Sequence, residues 1–262
     1  GTLGSDALAF VDFLSESGIR FWQTCPVGPT GYGDSPYQVF SSFAGNPYFI
    51  DWDPLISIGM IEEEELSLLR ALPSHEVDYG SLYQKFFPCA RIAFSRFSDH
   101  KDELESLYGN LESFCSENAS WISSYGCFGV LKQREAGKPW WKWSDASKNA
   151  DSSLLAEIRD DSDFSFHVFL QYLFWGQWKA LRMYANGKNV SLLGDLPIYA
   201  APDSSEVWQR PDLFQVDRDA GFSHVAGVPP DYFNENGQYW GNPLYDWDRH
   251  EADDYSWWME RL

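Results

Sequence analysis

Basic residues are scarce in this chain: 19 Lys and Arg stand against 39 Asp and Glu, a formal net charge of −20 at pH 7. A field of that sign repels nucleic acid and anionic membrane and suits a neutral partner, and no basic cluster offers an exception. Cysteine is scarce as well. Cys25, Cys89, Cys115 and Cys127 are scattered without CxxC or other metal spacing, which favours free thiols in a reducing cytoplasm over disulfides. No apolar run is long enough to span a bilayer, because the longest, 164–178, is broken by His167, Gln171 and Gln177. The first residues do not read as a signal peptide. The five histidines have neither metal-pair spacing nor a GxSxG nucleophile to serve. Gly28, Gly31 and Gly33 lack the lysine of a phosphate loop. The stretch 217–221 begins like a calcium loop, but its glycine comes one place early and no glutamate completes it.

Aromatic residues, by contrast, make up 18% of the 262 residues, with 13 Trp. That length suffices for one large core or two smaller ones. The apolar run Phe21-Trp22-Gln23-Thr24-Cys25-Pro26-Val27 ends abruptly in Gly28-Pro29-Thr30-Gly31-Tyr32-Gly33-Asp34-Ser35-Pro36-Tyr37, followed by Phe43-Ala44-Gly45-Asn46-Pro47-Tyr48. Glycine and proline at this density force sharp bends. Tyrosines displayed there beside a carboxylate and a serine suit a sugar, whose rings have apolar CH faces and hydroxyl rims. Composition alone leaves an ordinary aromatic-rich turn equally open.

Along the chain, Ser5 is expected to cap a helix with Ala7, Phe10, Val11 and Leu14 on one face, ended by Gly18. A buried strand over 19–27 should follow. The acids Glu62–Glu65 read as a solvated helix start. Residues 78–128 read as two or three helices, 144–163 as a loop-rich connection, and 164–185 as a long helix stopped by Gly187 before the strand 190–193. Strand, helical excursion, helix, strand is the order of a parallel α/β sheet.

The first block resembles the signature of the 4-α-glucanotransferases, the amylomaltase or disproportionating-enzyme family. Two further blocks agree: Gly194-Asp195-Leu196-Pro197-Ile198-Tyr199 with Asp203-Ser204 and Val207-Trp208, then Val225–Phe233 with Trp240-Gly241-Asn242-Pro243-Leu244-Tyr245. The resemblance implies part of a (β/α)8 TIM barrel, with loops gathered at the C-terminal ends of its strands and a mainly helical insertion between them. The expected segments are 1–58 (barrel, first substrate loop), 59–163 (insertion) and 164–262 (barrel, second and third loops). It further implies a retaining transfer of α-1,4-glucan segments between maltooligosaccharides, without metal or organic cofactor. The alternatives are a related α-glucan hydrolase and a non-catalytic α-glucan-binding protein.

Family roles carried over residue by residue put Tyr32, Asp34, Ser35, Asp195, Phe233, Trp240 and Asn242 on the substrate. Tyr32 would stack on the glucose at the cleavage point, Asp195 would bond glucose hydroxyls, and Phe233 would form an acceptor-side platform on a loop over the cleft. Tryptophans 121, 140, 141, 143 and 178 are expected to be structural. Retention requires two carboxyl groups about 5–5.5 Å apart. The family's R-I-D-H-F-R-G type nucleophile motif is absent, so the nucleophilic Asp and the acid/base Glu are expected beyond Leu262. A first barrel strand is expected before Gly1.

Overall fold

A computed structural model describes residues 1–217 and 221–262, and the backbone of Tyr32 without its side chain. Helix α1 (Ser5–Glu16) buries Val11 and Leu14, but Phe10, expected on the same face, is exposed and meets Trp22 edge-on. Its cap is Gly4 rather than Ser5, and no side chain caps it. Glycine is required there because any Cβ would collide with the Asp51 carboxyl group. Gly18, at φ +73°, turns the chain out of the helix, with Ile19 N–H returning to Leu14 O.

Strand β1 (Phe21–Gln23) pairs in parallel with the much later β2 (Ser191–Leu193), Trp22 opposite Leu192. The expected buried strand over 19–27 is therefore only three residues long, and it is not buried. Phe21 and Gln23 are exposed and Trp22 is half-buried. The physical reason is that a pair of strands covered on one side buries every second residue, whereas a central barrel strand is enclosed on both.

Between these strands runs a helical series: α2 (Asp53–Ser57), α3 (Ser67–Arg70), α4 (Tyr79–Ser95), α5 (Lys101–Tyr108), α6 (Leu111–Glu117), α7 (Ile122–Arg134), α8 (Asp145–Lys148), α9 (Ser152–Arg159) and α10 (Ser162–Gly187). The acid cluster acts as a helix start, since Glu62 and Glu65 close a capping box. Glu65 also forks onto Arg96, which holds its carboxyl below the usual range. The loop expected over 144–163 is largely helical instead. Asp151 caps α9 through the N–H groups of Ser153 and Leu154, and Leu155 and Ile158 point inward three residues apart. Helix α10 runs to Gly187, and left-handed Asn189 (φ +59°) makes the turn into β2.

After β2 come α11 (Ser205–Gln209), a short antiparallel pair β3 (Val216–Asp217) and β4 (Gly221–Phe222), and the hairpin β5 (Val225–Val228) with β6 (Gln238–Pro243). The chain then forms α12 (Trp247–Ala252) and α13 (Ser256–Arg261).

The chain folds into two compact units. One comprises 1–27, 45–119 and 166–195, the other 28–44, 120–165 and 196–262. The first buries Phe86, Ala90, Phe169, Leu173 and Phe174 where α4 meets α10, with a smaller cluster of Val11, Leu14, Leu181, Ala185 and Val190. The second is rich in aromatics: Phe128, Trp140, Trp143, Trp208, Phe214, Tyr245 and Trp257. Trp121, Trp140 and Trp143 are thus core residues, and Trp141 and Trp178 are half-buried against the two cores. Among the described residues no helix is long and apolar enough to cross a membrane.

Two buried glutamines of α10 fasten the segment after β1. Gln171 Nε2 donates to Gly45 O at 2.9 Å while Gly45 N–H donates to its Oε1 at 2.7 Å. Gln177 makes the same pair of bonds with Asp51, at 2.8 and 2.7 Å. Gln171→Leu should leave a buried N–H and a buried C=O unpaired and destabilise the protein by about 2–5 kcal/mol. Urea unfolding of the full-length protein measures this, and a loss below about 1 kcal/mol would show that the bonds are dispensable.

Candidate glucan-binding loops and their frame

In the second unit, residues 30–39 close a narrow loop. Thr30 and Val39 form an antiparallel bridge, Gly31 N–H donates to Gln38 O at 2.8 Å, and Phe40 N–H to Pro29 O at 2.8 Å. Gly31 fits because a Cβ there would stand 2.9 Å from Gln38 O. At the tip, Tyr32–Asp34 make a single 3₁₀ turn in which Gly33 (φ +73°) and Asp34 (φ +54°) are both left-handed. Aspartate tolerates that region better than most residues, and such backbone strain gathers at ligand sites. Asp34 is exposed. Ser35 is half-buried, and its hydroxyl accepts from Tyr37 N–H at 3.3 Å. The Tyr32 side chain lies outside the described residues.

The third block, expected as a loop over the cleft, forms the β5–β6 hairpin, because its two arms pair antiparallel. Asp231 Oδ1 accepts from the N–H groups of Phe233 and Asn234, and Gly237 (φ +69°) permits the return. Tyr232 and Phe233 at its tip are almost wholly exposed, at 97% and 90%. Trp240 is also exposed; its indole N–H donates to Gln238 Oε1 at 3.0 Å and its ring meets Tyr199 edge-on. All three aromatics are open to a ligand.

Asn242 is different. It is buried, accepts from Gln38 Nε2 at 3.2 Å and donates to Ala200 O at 2.9 Å. Its amide ties the first and third blocks to the second. Asp195 stands just past β2, half-buried, in the first unit. The structure thus groups the 32–35 turn, Phe233, Trp240 and Asn242 in one unit, with Asp195 in the other.

Several frame residues escaped the sequence reading. Lys132 of α7 donates to Gly137 O, Lys138 O and, at 2.7 Å, Asp203 Oδ2, and its ammonium lies 5.2 Å from the Phe40 ring. Asp203 also accepts from Trp140 N–H. Burial pushes the Asp203 carboxyl up, and Lys132 opposes the shift. Arg261 of α13 donates to Pro197 O from beneath the second block, its cation against the Trp257 and Trp258 rings. Glu206 is enclosed and accepts from Ser41. Glu206 sits inside the second block, where its neighbours Val207 and Trp208 drew attention. Lys132 carried no local signal at all. Among the described residues, no three His, Cys, Asp or Glu side chains are placed to hold a metal ion.

The mixed architecture, with its parallel pair and helical excursion, fits part of a (β/α)8 barrel. A family model described as 4-alpha-glucanotransferase matches residues 1–262, and the chain belongs to that family. It is 42% identical over 266 residues to 4-alpha-glucanotransferase of Thermus thermophilus and 40% identical to that of Streptococcus pneumoniae serotype 4, covering 100% of this chain and 52% of each relative. The amylomaltase from Streptococcus agalactiae, solved in complex with acarbose, matches with a TM-score of 0.92 at 38% identity, over 100% of this chain and 53% of that one. The chain spans about half the length of the curated relatives it matches. The resemblance and the partial-barrel reading both stand.

Removing Lys132 tests the frame. Lys132→Met leaves the Asp203 carboxylate buried and unpaired, which should cost about 2–3 kcal/mol at pH 7, the low end for a pair still partly exposed. Without the cation the folded-state pKa of Asp203 rises further above its unfolded value. Protonation then relieves the variant, so its deficit against wild type should shrink as pH falls. Melting curves from pH 7 down to pH 4 check this, and a deficit independent of pH would point to lost packing alone.

Proposed function

We propose that this chain supplies the glucan-binding loops of a 4-α-glucanotransferase, which moves α-1,4-glucan segments between maltooligosaccharides by retaining double displacement. The observation that carries the reading is the match of the family model along the whole chain, together with the exposed turns of the first and third blocks on a buried polar frame. The acarbose complex of the S. agalactiae amylomaltase supports an α-glucan as ligand. In this reading the 32–35 turn brings Tyr32, Asp34 and Ser35 to the substrate, and Asp195 accepts from glucose hydroxyls. Phe233 and Trp240 offer flat faces to the acceptor sugar. Segment 59–163 acts as a helical insertion between barrel segments 1–58 and 164–262, and the protein works in the cytoplasm without a cofactor.

Bond breaking with retention needs a nucleophilic and an acid/base carboxyl. We assign neither to this chain and place both in the half of the relatives it does not span. What these loops contribute is binding and orientation. A charged acceptor at Asp195 bonds the sugar more strongly as positive charge grows on the ring, and that difference lowers the barrel enzyme's barrier. Water exclusion by the 229–237 tip favours a sugar acceptor over hydrolysis.

Incubated with maltotriose, the full-length protein should yield glucose and maltodextrins longer than the substrate. If hydrolysis to glucose and maltose accounts for most turnover, the hydrolase alternative replaces this reading. Residues 1–262 alone should show no transfer; turnover by the purified chain would overturn the placement of both carboxyls. In the full-length protein, Asp195→Asn should cut turnover roughly 10²-fold, equivalent to about 2.7 kcal/mol, with little change in melting temperature. A destabilised variant with near-normal turnover would make Asp195 a turn residue.

A further inference from the structure

Glu206 lies on α11, buried in the second unit, and no step of the proposed chemistry uses it. Its Oε1 accepts from Ser41 Oγ at 2.6 Å and from Ser205 Oγ at 2.9 Å. Its Oε2 is also buried and meets no hydrogen-bond partner among the described residues. An enclosed carboxyl with an unmatched oxygen is costly, so its presence calls for a compensating role.

That role is visible in what the hydroxyls do next. Ser41 Oγ, while donating to Glu206, accepts from the N–H groups of Phe43 and Ala44 at 3.1 and 3.2 Å. Ser205 N–H donates to Phe40 O at 2.9 Å. One carboxyl oxygen therefore organises both the turn that ends the first loop and the first turn of α11, while Gln38 and Asn242 secure the same loop farther out. Burial pushes the Glu206 carboxyl up, and the neutral acid is the less costly form to enclose.

We propose that Glu206 is a positioning residue for glucan binding, locking loop 28–44 in the shape that presents Tyr32, Asp34 and Ser35 to the sugar. The inference rests on the reading of that loop as part of the glucan site. Because Oε1 is the working atom, an amide oxygen can replace it, and a methyl group cannot.

The test compares Glu206→Ala and Glu206→Gln in the full-length protein, well below their melting temperatures. In Glu206→Ala the Phe43 and Ala44 amides should exchange hydrogen at least about tenfold faster. KM for maltotriose should rise about tenfold, with kcat kept within about threefold. Glu206→Gln should stay within about threefold of wild type in all three. Should Glu206→Ala fail to fold, Ser41→Ala removes the hydroxyl through which Glu206 holds the turn and should move exchange and KM the same way, by about tenfold. A variant that melts lower while KM and amide exchange stay unchanged would make Glu206 a space-filling residue and overturn the proposal. Equal damage from Gln and Ala would overturn it too. If the wild-type protein transfers no glucan, the functional reading fails, whereas amide exchange still decides whether Glu206 locks the loop.

Discussion

The first unit depends on two amide side chains that take the place of a neighbouring strand. Gln171 and Gln177 each offer one donor and one acceptor to the backbone of Gly45 and Asp51, and in both cases 126 residues separate the partners. The equal offset means that six residues of helix are matched to six residues of irregular chain, one to one at both ends. Buried irregular backbone must find partners somewhere. Here a long apolar helix supplies them at two points and otherwise packs, with the Phe174 ring against Gly45 where a Cβ would not fit. The path of the chain out of β1 is set by this match more than by the brief β1–β2 ladder.

The second unit applies the same principle to its motif blocks. Several residues in and beside the motif blocks are tie points: Gln38 bonds Asn242, Ser41 bonds Glu206, Asn242 bonds the Ala200 carbonyl, and Asp203 bonds Lys132. The side chains left exposed, Asp34, Phe233 and Trp240, stand beside those ties in sequence. Rigid backing of this kind suits recognition, because a loop held in one shape loses less entropy when a ligand binds.

Much of this was legible in the chain. The periodicity of α1 and α10, the Glu62–Glu65 helix start, the parallel strand order and the three blocks all express local patterns, and the structure follows them. The polar breaks Gln171 and Gln177 that excluded a membrane span turn out to be the fastenings of the first unit. What escaped depended on distant partners. A single strand's spacing does not tell one-sided from two-sided burial, so β1 was read as enclosed. The short helices α8 and α9 carry polar residues on most faces and looked like loop. Nothing in the sequence around Asn242 indicated that its amide bonds Gln38 and Ala200, whose positions lie far along the chain. Lys132 matters through the distant Asp203 carboxylate and Phe40 ring, and Arg261 through the distant Pro197 carbonyl.

The parallel pairing of Phe21 with Ser191 has a consequence for how the chain is made. About 170 residues separate the two strands, and the entropic cost of closing so long a loop grows only logarithmically, so the finished pair is not much weakened by it. Time is affected more than equilibrium. At about 5–20 residues per second, β1 leaves the ribosome roughly 10–30 s before β2 is synthesised. Throughout that interval Phe21 and the unpaired edge of β1 are exposed to other nascent chains. Residues 1–190 carry 25 Asp and Glu against 15 Lys and Arg, so charge repulsion between such segments is a protection built into the sequence itself during those seconds.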